Sequence, residues 1–118
     1  MIKIFYILFT LATFAISAQN TQIIDSHEVL IIKSNPNNTV IFENGLMAKL
    51  DSWQKVTPEI EKNATVLLYN RYGYGKSSQT KSIRDGETIV NELRELLKSA
   101  HIKPPYILVG HSLGGLYM

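Results

Sequence analysis

The residues of this chain that could do chemistry centre on a serine between two glycines. Residues 110–114 read Gly-His-Ser-Leu-Gly, which places Ser112 at the centre of a G-x-S-x-G pattern. The apolar run at residues 106–109 precedes it directly, so the serine follows a predicted buried strand. A tight turn from strand to helix strains its central residue and leaves no room for side chains at the flanking Gly110 and Gly114. The pattern therefore predicts a nucleophilic hydroxyl exposed above a sheet.

Alternating strands and helices are predicted around this turn. Short apolar runs predict buried strands at residues 39–42, 64–69 and 106–109, and residues 21–33 read as a hairpin. Residues 82–100 carry apolar side chains on one helical face, which predicts a helix with Ser82 as its N-cap. A shorter helix, interrupted by Pro58, is predicted within residues 51–62. Because such alternation is typical of parallel β-α-β units, the sequence predicts an α/β fold.

Composition excludes several classes of function. The 12 basic and 10 acidic residues give a net charge of +2 and form no long run of like charge, so nucleic acid is not an expected partner. The sequence has no cysteine, which excludes a disulfide framework, a thiolate metal site and a cysteine nucleophile. No spacing typical of metal ligands is present, so we expect neither a metal nor another cofactor.

The N-terminal segment has the composition of a signal peptide. The basic residue Lys3 is followed by the apolar stretch at residues 4–16, and the small residues Ser17 and Ala18 come next. We expect cleavage near Ala18, although Ala15 and Ser17 also fit the small-x-small pattern and the bond stays open. The apolar stretch is shorter than the roughly 20 residues that span a bilayer. The mature region, residues 19–118, is therefore expected to be secreted or periplasmic, with no stable membrane anchor.

Three motifs, in this order along the chain, resemble those of the α/β-hydrolase fold superfamily. Residues 40–45 (VIFENG) resemble the third strand and its His-Gly loop, with Glu-Asn at residues 43–44 instead of the usual apolar–His pair. Residues 70–77 (NRYGYGKS) resemble the structural D-R-x-G-x-G-x-S loop, with Asn70 in place of the Asp. Residues 110–115 (GHSLGG) resemble the nucleophile elbow of esterases and lipases. The chain is thus similar to the N-terminal half of an α/β-hydrolase sheet.

The resemblance implies a serine hydrolase that acts on an ester or related acyl bond through an acyl-enzyme on Ser112. It assigns the oxyanion hole to the backbone N–H groups of Leu46, which follows the loop glycine, and of Leu113. It implies a small-molecule ester or acyl substrate and no cofactor. A serine nucleophile disfavours the epoxide hydrolase and dehalogenase branches, which use aspartate, and leaves cofactor-free peroxidases and peptidases open.

The catalytic base and acid that such a serine requires are not assigned. The family's chain order is serine, then Asp or Glu, then His, which places both beyond Met118. His27 and His101 precede the serine, and His111 lies beside it on a tight turn that directs its side chain elsewhere. We therefore expect a truncated chain that is inactive alone and leaves residues 106–109 as a bare apolar edge strand.

Two other interpretations compete with this one. The chain could be a non-catalytic secreted fragment or binding module that retains part of the hydrolase fold, since fold alone does not determine function. Residues 75–77 (GKS) also match the end of a phosphate-binding G-x-x-x-x-G-K-S loop, but Asn70 stands where the leading glycine is needed. The loop at residues 70–77 is therefore interpreted as structural. The sequence identifies neither the substrate nor the oligomeric state.

Overall fold

A mixed five-stranded sheet organises residues 20–118, which are the residues that the structure, a computed structural model, describes. Its strands are β1 (Gln22–Ile24), β2 (His27–Ile32), β3 (Thr39–Glu43), β4 (Thr65–Tyr69) and β5 (Tyr106–Gly110). The helices are α1 (Thr57–Ile60) and α2 (Gly86–Ser99), with 3-10 turns at Leu50–Trp53 and Ser112–Leu116. The predicted signal peptide lies outside the described residues.

The strand order β1-β2-β4-β3-β5 places β3 between two parallel neighbours. β3 pairs in parallel with β4 and with β5, whereas β2 runs antiparallel to both β1 and β4. The carboxyl ends of the three parallel strands therefore meet at one edge of the sheet, where ligand sites of open α/β sheets form. The predicted α/β fold is confirmed.

The core occupies both faces of the sheet because side chains alternate along each strand. On one face the sheet packs against α2, and this cluster contains Val29, Ile41, Leu67 and Tyr69 from the strands and Leu93, Leu96 and Leu97 from the helix. The opposite face contains Val40, Phe42, Ala64, Val66 and Leu68, with Trp53 packed against them. Burial of β3 and β4 on both faces explains their uninterrupted apolar runs, whereas β5, also predicted as a buried strand, is partly exposed among the described residues.

Helix α2 is confirmed, but its predicted N-cap is wrong. The helix begins at Gly86, and the Asp85 side chain accepts a hydrogen bond of 2.8 Å from Thr88 N–H. Ser82 lies upstream of the helix, and its own N–H donates to the Thr80 hydroxyl. The predicted helix within residues 51–62 is also broken, into a 3-10 turn and the four-residue α1, with Pro58 in the first turn of α1.

A buried glutamate of β2 fixes the loop at residues 70–77. The Glu28 carboxylate accepts hydrogen bonds from Asn70 Nδ2 at 2.8 Å and from Lys76 N–H at 2.7 Å. Ser77 Oγ accepts from Glu28 N–H and donates to the Asn70 carbonyl. The Lys76 N–H, which a phosphate-binding loop would offer to its ligand, therefore faces a carboxylate. This geometry supports the interpretation of the loop as structural.

Strand β5 forms one edge of the described sheet. Its only strand partner within residues 20–118 is β3, and Ile107 and Leu108 are 53% and 47% exposed. Apolar side chains on an edge strand are an aggregation hazard, because the unpaired backbone can recruit another strand. The expected bare apolar edge is present in this part of the chain.

Acidification should weaken the fold through His27. Its Nδ1–H donates to the Asp25 carbonyl at 2.9 Å, its ring stacks on Tyr72, and its Nε2 has no partner among the described residues. Burial lowers the pKa of His27 below the ordinary value of 6.5. The unfolded chain therefore binds a proton at a higher pH than the folded chain, and stability falls as pH drops below about 6.5.

The expected slope for His27 is at most about 1.4 kcal/mol per pH unit, the value for one proton. Urea unfolding between pH 7 and pH 5 measures it, and His27→Phe, which keeps an aromatic ring against Tyr72, should reduce the slope. An undiminished slope in His27→Phe would assign the acid sensitivity to other groups.

Candidate active site

The ends of β3 and β5 bring two of the sequence motifs together. The strand register pairs Glu43 with Gly110, so the loop after β3 and the turn after β5 begin side by side. The N–H of His111 donates to the Glu43 carbonyl at 3.1 Å. A Cβ atom on Gly45 would lie 3.4 Å from Ser112 Cβ, which shows that the Gly45 backbone lies against the serine.

Ser112 has the strained backbone that its motif predicts. Its φ is 52°, in the left-handed region that non-glycine residues rarely adopt. A Cβ on Gly110 would lie 2.7 Å from the Gly115 backbone, and a Cβ on Gly114 would lie 2.5 Å from the Glu43 carbonyl oxygen. Both flanking positions therefore exclude side chains, as the sequence suggests.

The chain after Ser112 forms a 3-10 turn instead of the predicted α-helix. The Leu113 N–H lies in its first turn, where N–H groups have no partner within the helix. The Leu46 N–H likewise donates to no atom of residues 20–118. A cavity of about 310 Å³ is lined by both Leu46 and Leu113, so the two residues named for the oxyanion hole border one space.

A buried ion pair lies beneath the Gly45 loop. Arg71 donates to the Glu43 carboxylate, to the Asn44 carbonyl at 2.6 Å and to the Gly45 carbonyl at 2.9 Å. The Tyr69 hydroxyl donates to the other Glu43 oxygen. Glu43 is fully buried, and this burial raises its pKa, while the hydrogen bond from Tyr69 and the charge of Arg71 act in the opposite direction.

The Asn44 side chain ties the same loop to the sheet. Its Nδ2 donates to the Tyr69 carbonyl at 2.8 Å, and its Oδ1 accepts from Trp53 Nε1 at 2.7 Å. Trp53 packs against Phe42 with 4.7 Å between ring centroids. The two positions at which this chain departs from the His-Gly motif are therefore satisfied by Arg71, by Tyr69 on β4 and by Trp53 in the first 3-10 turn.

None of the three histidines forms a hydrogen bond with Ser112 in the described part of the chain. His27 is buried on β2, and His101 is exposed after α2. His111 neighbours Ser112, but its ring lies near Gly45 and edge-on to Trp53, at 6.5 Å between centroids. No side-chain hydrogen bond joins Ser112 Oγ to a histidine or carboxylate within residues 20–118. The assignment of the base and acid to residues beyond Met118 stays a prediction.

The sequence interpretation missed the roles of Glu43, Arg71 and Glu28. A glutamate that closes an apolar run was the available signal, because a charged residue at the buried end of a strand needs a partner.

Among the described residues, no group of three or more His, Asp or Glu could hold a metal ion. No helix in that same region has the length and apolar character to cross a bilayer.

Comparisons with known proteins agree with this fold. A family model described as alpha/beta hydrolase fold matches residues 38–118. The uncharacterized protein YqjL of Bacillus subtilis is 36% identical over 84 residues, which are 71% of this chain and 33% of YqjL. The putative carbamate hydrolase RutD of Yersinia enterocolitica is 36% identical over 81 residues, which are 66% of this chain and 28% of RutD.

Among solved structures, a hydrolase from Pseudomonas aeruginosa PA01 matches with a TM-score of 0.75 at 20% identity. The match covers 85% of this chain and 39% of that hydrolase. At this identity the likeness shows the fold alone. The chain spans about a third of the length of the curated relatives.

Proposed function

Since this chain belongs to the α/β-hydrolase fold family, we propose that it carries the nucleophile and oxyanion hole of a serine hydrolase. The proposed reaction is hydrolysis of an ester or related acyl bond through an acyl-enzyme on Ser112. The observation that carries this proposal is the strained turn of Ser112, packed directly against the Gly45 backbone. The adjoining cavity supports a small-molecule substrate.

The proposed mechanism uses two backbone donors and one hydroxyl from this chain. Ser112 Oγ attacks the acyl carbon while a histidine from outside the described residues takes its proton. The Leu46 and Leu113 N–H groups stabilise the oxyanion that forms. Collapse of this intermediate expels the alcohol, which takes the proton from the histidine, and water then releases the acid from Ser112. No cofactor enters these steps.

The relatives widen the range of proposed substrates but do not select one. The name of RutD, a putative carbamate hydrolase, adds carbamates to the acyl compounds that this site is proposed to accept.

The N-terminal segment supports the further proposal that residues 1–18 direct the protein to the periplasm or the exterior. Cleavage of that segment is measured by mass spectrometry of the mature N-terminus.

A second candidate is a non-catalytic module that retains part of the hydrolase fold. This candidate needs no base or acid, and within residues 20–118 none is hydrogen-bonded to Ser112. In that case Ser112 is an ordinary alcohol, which reacts slowly with electrophiles because nothing removes its proton.

Labelling with a fluorophosphonate probe separates the two candidates, because the probe requires an activated serine but no known substrate. The chain, a form extended beyond residue 118, and Ser112→Ala and Ser82→Ala variants of each are compared. The hydrolase proposal expects labelling of the extended form that Ser112→Ala abolishes and Ser82→Ala preserves. Labelling of the shorter chain would place the base within it or in an associated copy, and silence in every form would favour the non-catalytic module.

A further inference from the structure

Arg71 holds two consecutive carbonyl groups of the loop that borders Ser112. Its Nη1 donates to the Asn44 carbonyl at 2.6 Å, and its Nη2 donates to the Gly45 carbonyl at 2.9 Å. The guanidinium is planar and its donors have a fixed geometry, so both contacts define one orientation of the loop. Arg71 therefore fixes the two peptide groups on either side of Gly45.

The second of these peptide groups contains the Leu46 N–H. In a trans peptide the carbonyl and N–H bonds share a plane and point in opposite directions. Because Arg71 holds the Gly45 oxygen on the buried side, the Leu46 N–H is directed away from the guanidinium. On that side of the loop, no atom of residues 20–118 accepts a hydrogen bond from the Leu46 N–H.

The loop needs such a restraint because glycine allows its peptide groups to rotate. Gly45 lacks a Cβ and has access to more backbone conformations than any other residue type. The Leu46 side chain is 66% exposed, so packing contributes little to holding this peptide. Within residues 20–118, the Gly45 oxygen otherwise accepts only the 3.3 Å bond from Ala48 N–H.

Arg71 is itself held in place on several sides. The Glu43 carboxylate accepts from Nη1 on the buried side. The rings of Tyr74 and Tyr117 lie 5.2 and 5.6 Å from the guanidinium carbon, within the range of cation–π attraction. Burial opposes the charge of Arg71, but the Glu43 carboxylate outweighs this effect and raises its pKa, so the donors stay charged.

We propose that Arg71 is a positioning residue of the oxyanion hole: it fixes and polarises the peptide group that carries the Leu46 N–H. This rests on the proposed function, in which Leu46 is an oxyanion donor. The charge-assisted bond to the Gly45 oxygen draws electron density toward that oxygen, which makes the N–H of the same peptide a stronger donor. Arg71 acts through the backbone and does not touch the substrate.

The orientation is tested without a substrate, by NMR of the weakly aligned, nitrogen-15-labelled chain. Arg71→Lys keeps the charge but cannot hold both carbonyls with one rigid group. The residual dipolar coupling of the Leu46 N–H should change in this variant, while those of β3 and β4 amides and of Leu113 stay unchanged. Arg94→Lys, on the exposed surface of α2, is the matched control. An unchanged Leu46 coupling in Arg71→Lys would overturn the proposal.

A second measurement uses the unsubstituted protein and can overturn the proposal even if Arg71→Lys fails to fold. The Nη hydrogens of a clamped Arg71 should give separate NMR signals that exchange slowly with water. A single averaged signal, typical of a freely rotating guanidinium, would contradict the clamp.

The catalytic consequence is measured by fluorophosphonate labelling of whichever form shows Ser112-dependent reaction. Arg71→Lys should lower the maximal labelling rate by up to roughly 100-fold, the lower end of the loss on removal of one oxyanion donor, because the Leu46 N–H is misdirected and not removed. The half-saturating probe concentration should stay unchanged. An unaltered maximal rate would overturn the catalytic consequence. Absence of Ser112-dependent labelling would instead contradict the proposed function, while the NMR measurements still decide the role of Arg71.

Discussion

Gly114→Ala should destabilise the protein by about 3 kcal/mol or more, through a clash that its surroundings cannot relieve. The added Cβ would lie 2.5 and 2.6 Å from the carbonyl oxygens of Glu43 and Asn44. Both atoms are backbone at the end of the central strand β3, so either the strand or the turn must move. Movement of the turn would also displace Ser112 from the Gly45 loop.

The adjacent glycine provides a matched control for this substitution. A Cβ on Gly115 would meet no atom within 4 Å, so Gly115→Ala should change stability by less than about 0.5 kcal/mol. Thermal unfolding of both variants measures the difference, which for Gly114→Ala corresponds to a fall in Tm of roughly 12 °C or more. Equal Tm values for the two variants would show that β3 and the turn are not as closely packed as described.

Glu43→Gln should have a comparable cost of about 3 kcal/mol, because it leaves the Arg71 charge buried without a compensating charge. Glu43 is fully buried and its two oxygens accept from Arg71 and Tyr69. The amide keeps one oxygen that can accept from Arg71, but its NH2 group faces the Tyr69 hydroxyl, which must then accept a hydrogen bond instead of donating one. Removing one member of a buried ion pair costs much more folding free energy than replacing the whole pair with apolar side chains.

The same substitution at an exposed ion pair controls for the loss of a carboxylate. Glu95 pairs with Lys98 on α2, where the two side chains are 61% and 72% exposed. Glu95→Gln should therefore cost less than about 0.5 kcal/mol. Urea unfolding of both variants at neutral pH measures the contrast. A Glu43→Gln variant as stable as Glu95→Gln would mean that water or a local shift compensates the Arg71 charge.

The strands and the elbow could be predicted from sequence because their signals are local. Apolar runs bounded by turn residues located β3, β4 and β5 within one or two residues. The G-x-S-x-G spacing predicted the strained Ser112 because few backbone paths connect a strand so directly to a helical turn. The resemblance to hydrolases rested on the same short motifs, and the family match confirms it.

The start of α2 was predicted wrongly because two suitable caps occur close together. Ser82 and Asp85 are both good N-cap residues, and propensity alone does not choose between them. In the folded chain the Asp85 carboxylate reaches Thr88 N–H, and Ser82 instead bonds within its own loop. Helix boundaries are decided by such individual hydrogen bonds.

The partners of the buried charges could not be predicted because they are distant in sequence. A single glutamate in an apolar run is by default placed at the surface, since charged residues are rarely fully buried without a partner. Glu43 and Glu28 are buried because Arg71 and the Asn70 loop reach them across the sheet. Only the register between β2, β3 and β4 reveals these contacts.

The position of β5 in the sheet also has a consequence for folding kinetics. β3 and β5 pair in parallel although α2 and most of the described chain lie between them in sequence. Such pairing must overcome a large loop-closure entropy and forms slowly compared with the local β1–β2 hairpin. We therefore expect the contact that brings the Gly45 loop and Ser112 together to be among the latest to form, so that the site is complete only once the sheet has closed around β3.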